Sequence, residues 1–227
     1  ITVGGHITLP LWGTIRQGYS TILKTDSAKN NAFIGVNVNG SSTGTFNTAV
    51  GSNTMTASTT GSNITAIGSM ALLNNTTGSD NSALGASSLL SNTTGGNLTA
   101  FGKFALRANT TGNNNTSIGT SSLFAHTTGN DNVAVGYSTL TAQTTAWGNV
   151  AIGANAGQAF TGQRSIYIGA YASDNQTAGD NNISICYQCD LPSLTGGGQM
   201  TIGNAIYGTG VTGTGTTLSP SKIGIHK

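Results

Sequence analysis

Cys186-Tyr187-Gln188-Cys189 is the one C-x-x-C in the chain. In an α/β setting that spacing carries thiol–disulfide redox chemistry, and it is also half of a tetrahedral zinc site. No second cysteine pair follows, so the bland readings lead: small-residue packing or a local disulfide between Cys186 and Cys189. His6, His126 and His226 have no partner at ligand spacing, and spacing assembles no catalytic triad. With no Glu anywhere, a carboxylate pair would need two of Asp26, Asp80, Asp131, Asp174, Asp180 and Asp190. Asp80 and Asp131 share one repeat position with Asn63, Asn97 and Asn114, which marks a solvated turn rather than an acid–base pair. Trp147, Tyr167, Tyr171 and Tyr187 gather where the repeat becomes irregular; they serve packing there, with stacking on sugar rings as the alternative. The reading is a non-enzyme, with no catalytic, cofactor-binding or metal-binding residue assigned and no cofactor implied.

The composition that must position these residues is unusual. Thr, Ser, Asn and Gly fill just over half of the 227 residues, and charged residues make up only 6%. An ordinary soluble domain carries about 25% charged residues. Most strong helix formers are scarce or absent, which argues against helical architecture. Disorder does not fit either, because 36% hydrophobic content with so little charge is not a self-repelling chain. A net charge of +2 from eight scattered Lys and Arg makes no basic stripe, so nucleic acid is not an expected partner. No apolar run approaches the ~18 residues of a membrane span, so this segment is expected not to insert in a bilayer. The opening Ile1 suggests a processed or trimmed end, which leaves room for a lost exporting signal.

Internal repetition organises the chain. An apolar residue followed by Gly recurs at Ile34-Gly35, Val50-Gly51, Ile67-Gly68, Leu84-Gly85, Phe101-Gly102, Ile118-Gly119, Val135-Gly136, Ile152-Gly153 and Ile168-Gly169. Ile185 is followed by Cys186 in place of Gly, and Ile202-Gly203 resumes the pattern; every step is 16 or 17 residues. A second Gly column holds Gly61, Gly78, Gly95, Gly112 and Gly129, each preceded by Thr-Thr. A second apolar ladder runs Met55, Leu72, Leu89, Leu106, Leu123 and Leu140, and a small-residue column runs Ala49, Ala66, Ala83, Ala100, Ser117, Ala134 and Ala151. Asn recurs at 31, 47, 81, 115, 132, 149 and 182, an expected turn position.

A period of 17 holds two short strands and two turns, one coil of a parallel β-solenoid. About eleven such coils span 31–203, with 1–30 as an N-terminal cap or docking segment and 204–227 as a Gly/Thr-rich connector. Both Gly columns are expected to supply positive φ at sharp bends. Strand alternation turns the large ladder and the Ala column to opposite faces. One coil buries too little to offset its chain entropy, so the Ala and Ser columns point to lateral packing by another chain, as in a cyclic trimer.

The pattern Asn-x-Ala-apolar-Gly, Ala/Ser-Leu, Asn-Thr-Thr-Gly resembles the head repeats of trimeric autotransporter adhesins. Residues 66–78 carry the resemblance best. The chain is still more similar to fibre repeats of phage tail fibres and bacterial surface proteins that often end in an endosialidase-type chaperone. Over about 31–203, this resemblance implies a left-handed parallel β-roll and a homotrimer. It also implies an extracellular place on a bacterial surface or virion tail fibre, and a host or neighbouring cell-surface receptor, glycans included. The function expected is non-enzymatic attachment by a stiff, multivalent rod; the alternative is a purely structural self-assembling filament subunit.

Overall fold

The computed structural model describes residues 14–17, 20–38, 42–203, 206–208 and 223–225. His6, His226, the apolar stretch before Trp12 and most of the connector lie outside the described residues. The chain is an all-β parallel solenoid whose strands follow one another in a single sheet in sequence order. The hairpin β1 (Thr14–Gln17) and β2 (Ser20–Asp26) lies antiparallel on β3 (Asn31–Ile34). Parallel pairing then continues through β4 (Thr48–Val50), β5 (Thr65–Ile67), β6 (Ser82–Leu84), β7 (Thr99–Phe101) and β8 (Thr116–Ile118). It extends through β9 (Val133–Val135), β10 (Val150–Ile152), β11 (Ile166–Ile168), β12 (Ile183–Ile185) and β13 (Met200–Ile202). β14 (Ile206–Gly208) and β15 (Ile223–Ile225) return antiparallel at the far end.

Each coil contains one short strand, of four residues in β3 and three in β4 to β13, not the two expected from the period. The second apolar ladder is the reason. Met55, Leu72, Leu89, Leu106, Leu123 and Leu140 sit at φ between 49° and 53°, so they curl the chain instead of extending it. A left-handed conformation costs an L-residue about 1–2 kcal/mol. Full burial of these side chains, worth about 1.5–3 kcal/mol each, offsets that cost. The turns nevertheless stack as regularly as strands. Leu72 N donates to Ser88 O at 3.0 Å and Thr76 N to Thr93 O at 2.9 Å, while Met70 N donates back to Ser52 O at 2.9 Å.

The strand alternation is as the pattern implies, but its faces are assigned differently. The Ala column points into the coil of its own chain, where Ala49, Ala66, Ala100, Ala134 and Ala151 are fully buried against the leucine column. The large ladder points outward. Lateral packing through the Ala column is therefore corrected: that column is already covered from within, where a small side chain packs beside each leucine, and the larger Tyr167 enters the same position only where Gly157 replaces the leucine.

The two Gly columns have different causes. Gly51, Gly68, Gly85, Gly102, Gly119, Gly136, Gly153 and Gly169 lie at φ between 122° and 142°, and Gly203 at 57°. A Cβ on Gly102 would also stand 2.5 Å from Gly119 O in the next coil. In the second column Gly61, Gly78, Gly95, Gly112 and Gly129 have no positive φ, and only Gly179 further along does, at 94°. For those five the constraint is close approach alone, since a Cβ on Gly78 would meet Gly95 O at 2.3 Å. Positive φ at that turn falls instead on Asn63, Asp80, Asn97, Asn114 and Asp131.

The Asn column is no ordinary turn feature. Asn47, Asn81, Asn132, Asn149 and Asn182 are fully buried and clip one coil to the next. Asn81 Nδ2 donates to Gly95 O at 2.9 Å, and its Oδ1 accepts from Leu98 N at 3.0 Å. Where Ile64 or Leu98 replaces this Asn, a second buried column takes over. Asn75 then donates to Gly78 O at 2.9 Å, and Asn109 to Gly112 O at 3.1 Å. Turn carbonyls in a dry interior are thus kept paired by one amide or the other, as buried backbone groups must be.

Two comparisons test this account. Gly102→Val should lower the melting temperature by several degrees, since strained backbone alone costs about 1–3 kcal/mol and the new side chain collides with the next coil. Lys103→Ala, at an exposed neighbouring position, should cost under about 1 kcal/mol; equal melting points would remove the geometric role of the Gly column. Separately, Asn75→Ala leaves Gly78 O without its amide, whereas Asn92→Ala leaves Gly95 O still held by Asn81. The first should be the more destabilising in urea titrations, by about 1–3 kcal/mol.

Candidate functional site

Three-residue strands expose their first and third side chains and bury the second. The third positions form the apolar ladder Val50, Ile67, Leu84, Phe101, Ile118, Val135, Ile152, Ile168, Ile185 and Ile202, stacked in register from strand to strand. Ile34, Ile67, Leu84, Phe101, Ile118, Ile152, Ile185 and Ile202 are 37–47% exposed, so the row faces solvent along the length of the rod. The first positions change character along it, from Thr65, Ser82, Thr99 and Thr116 to Val133, Val150, Ile166, Ile183 and Met200. The outward face therefore grows more apolar toward the C-terminal coils.

Directly after each strand, the turn carries the bulkiest polar and aromatic groups. Lys103, Tyr137 and Tyr187 follow the bend residues Gly102, Gly136 and Cys186, and all three are exposed. Phe104 and Tyr171 stand one residue further on at φ 64° and 57°. Lys103 Nζ lies 4.7 Å from the Phe104 ring centre, and the Arg107 guanidinium lies 5.8 Å from Phe104 and 5.5 Å from Phe124. Sequence reading placed the aromatics of interest at the irregular end and missed this group. The signal was present as two cations four residues apart, flanking Phe104 in a chain with almost no charge. Of the residues singled out, Tyr167 is fully buried, in edge-on contact with Phe160 at 4.9 Å, whereas Trp147 is 44% exposed beneath Arg164.

Five of the six carboxylates hold partners other than a second carboxylate. Asp80 accepts from Asn63 at 2.9 Å, Asp131 from Asn114 at 3.0 Å, and Asp180 pairs with Arg164 at 3.4 Å. Asp26 pairs with Lys29 at 3.5 Å, and Asp190 accepts from Asn175 at 3.4 Å. Among the described residues no three of His, Cys, Asp and Glu gather where a metal ion could bind. Cys186 and Cys189 are joined by a disulfide within one coil, their Cα atoms 6.0 Å apart, with Ser184 Oγ beside both sulfurs. No helix among the described residues is long and apolar enough to cross a membrane.

His126 occupies the second buried amide column after Asn75, Asn92 and Asn109. Its Nε2 donates to Gly129 O at 2.8 Å, leaving buried Nδ1 and the neighbouring Asn109 Oδ1 without partners. Desolvation lowers the imidazole pKa below its ordinary value of 6.5, against a smaller opposing effect of the Gly129 hydrogen bond. No protein-family model, curated protein or solved structure matches the chain.

A depressed histidine pKa means the unfolded chain takes up the proton first. The contribution of His126 to stability is then fully present above pH 6.5 and is lost as pH falls toward and through the lower folded value. Melting temperature should drop between pH 7 and pH 5 in the native chain. His126→Asn, which restores the residue of the preceding coils, should flatten that slope; an unchanged slope would assign the acid sensitivity elsewhere.

Proposed function

We propose that this chain is a segment of a homotrimeric extracellular fibre that mediates attachment to a cell surface without catalysis. The observation that carries the reading is the outward apolar ladder. Single exposed apolar residues are ordinary, but a contiguous row of them marks an interaction surface. Ten strand spacings make this row about 50 Å long, and every level presents the same kind of residue in the same orientation. Copies related by a rotation axis parallel to the rod bring equivalent levels together, so each ladder meets its own equivalents. Three copies are favoured by the resemblance of the repeat to trimeric adhesin heads and tail-fibre proteins, which also supports a bacterial-surface or virion location.

The mechanism is rigidity with repetition. Hydrogen bonds run from coil to coil around the whole circumference, so the rod resists bending, and three copies of a weak site gain avidity without new contacts. The filament alternative has less support. Antiparallel strands lie on both ends of the parallel stack, so one molecule does not continue the next by parallel coil stacking.

Analytical ultracentrifugation should give a mass near three chains. Ile118→Asp would place three carboxylates around the axis and should shift the mass toward one chain, while Thr111→Asp on an exposed turn should not. A native chain that sediments as a monomer over a wide concentration range would overturn the assembly.

A further inference from the structure

Resting on the attachment reading, we propose that the turn edge beside the outward strand face binds a carboxylate-bearing glycan, through Lys103, Phe104, Arg107 and Phe124. The local fold does not call for these residues. At the position of Phe104, the two adjacent coils carry Ser87 and Ser121, both at positive φ. A bulky side chain is a poor choice for that backbone, and Phe104 gains no full burial in return. At the position of Lys103 the flanking coils have Ala86 and Thr120, and at that of Arg107 they have Leu90 and Phe124.

The group is arranged as a cationic aromatic surface. Phe104 and Phe124 meet edge to face at 6.1 Å, with Arg107 against both rings and Lys103 over the first. Only three cations, Lys103, Arg107 and Arg164, fall within the solenoid 31–203, and two of them are here. Arg164 pairs with Asp180, whereas among the described residues neither Lys103 nor Arg107 has a carboxylate partner. Their positive charge is left for a ligand.

The ligand chemistry follows from the parts. A guanidinium offers a planar fork of donors that matches a carboxylate in bidentate fashion. Aromatic faces carry negative electrostatic potential and take the C–H face of a pyranose ring. A free anion would use only the cations, and a neutral sugar only the rings. The same edge continues with exposed Tyr137, two coils beyond Phe104, and Tyr171, two coils beyond Tyr137. Two strand spacings are about 9.5 Å, close to the length of two linked sugar rings, so a chain of sugars laid along the rod would meet an aromatic at alternate residues.

The full chain would be passed over immobilised polymers bearing sialyllactose or lactose, over polygalacturonate or a neutral galactan, and over polyphosphate. The acidic sugars should bind at least about tenfold more tightly than their neutral counterparts, a difference one good charged contact supplies. Binding should weaken as salt screens the contact. Phe104→Ser and Arg107→Leu place residues of the adjacent coils in these columns, so melting should hold while acidic-sugar binding falls about tenfold. Equal binding of acidic and neutral sugars, no binding of either acidic sugar, or polyphosphate binding that survives Phe104→Ser would overturn the site. Fluorescent native chain that attaches to bacterial or host cells equally well after both substitutions would likewise overturn this site and leave the attachment reading standing.

Discussion

Every feature of the molecule depends on stacking equivalent residues one strand spacing apart. At about 4.8 Å, each residue has its own equivalent directly above and below, and the backbone of one coil touches that of the next. A Cβ on Gly85 would lie 2.5 Å from Gly102 O, and one on Gly95 would lie 2.4 Å from Gly112 O. Glycine therefore recurs in columns. The first column meets a bend that L-residues avoid as well as the close approach; the second, from Gly61 to Gly129, meets the approach alone.

The same spacing explains the charge-poor composition. Like charges in one column would face each other at about 4.8 Å and repel by about 1 kcal/mol even in water. Asp80 and Asp131 occur singly in their column, each accepting a hydrogen bond from the Asn of the preceding coil. Thr and Asn suit such columns because each both donates and accepts along the stack. Thr76, Thr93 and Thr110 pass hydroxyl hydrogen bonds to the carbonyl one coil on, at 3.0–3.1 Å. Where the amide column changes to His126 and Gln143, the relay breaks and buried polar atoms are left unpaired.

A coil this thin divides its side chains sharply. Alanine and leucine fill the inside, and buried amides hold the turn carbonyls. The large aliphatic residues are left outside because little more than a methyl fits beneath the strand beside a leucine; Tyr167 enters only where Gly157 takes the leucine position. That exclusion produces the long apolar row on which the proposed assembly rests. It also leaves the turn after each strand free to vary, and the cations and aromatics of this chain collect there.

The Gly-marked period, the parallel solenoid and the stacking of Val50 through Ile202 were legible from spacing alone, because a repeat this regular can only bring equivalents together. Spacing also showed that the ladder and the Ala column face opposite ways. It could not say which face is inside, since that depends on the cross-section of the coil. Nor could it show that the leucine column curls at positive φ, because leucine rarely adopts that backbone and does so here only in return for burial. The Asn columns read as turns from sequence for a similar reason. Whether an amide meets water or Gly95 O is decided by the turn carbonyls that tertiary structure folds inward. The meeting of Arg107 with Phe124 likewise belongs to the stack, which sets residues seventeen apart in sequence side by side.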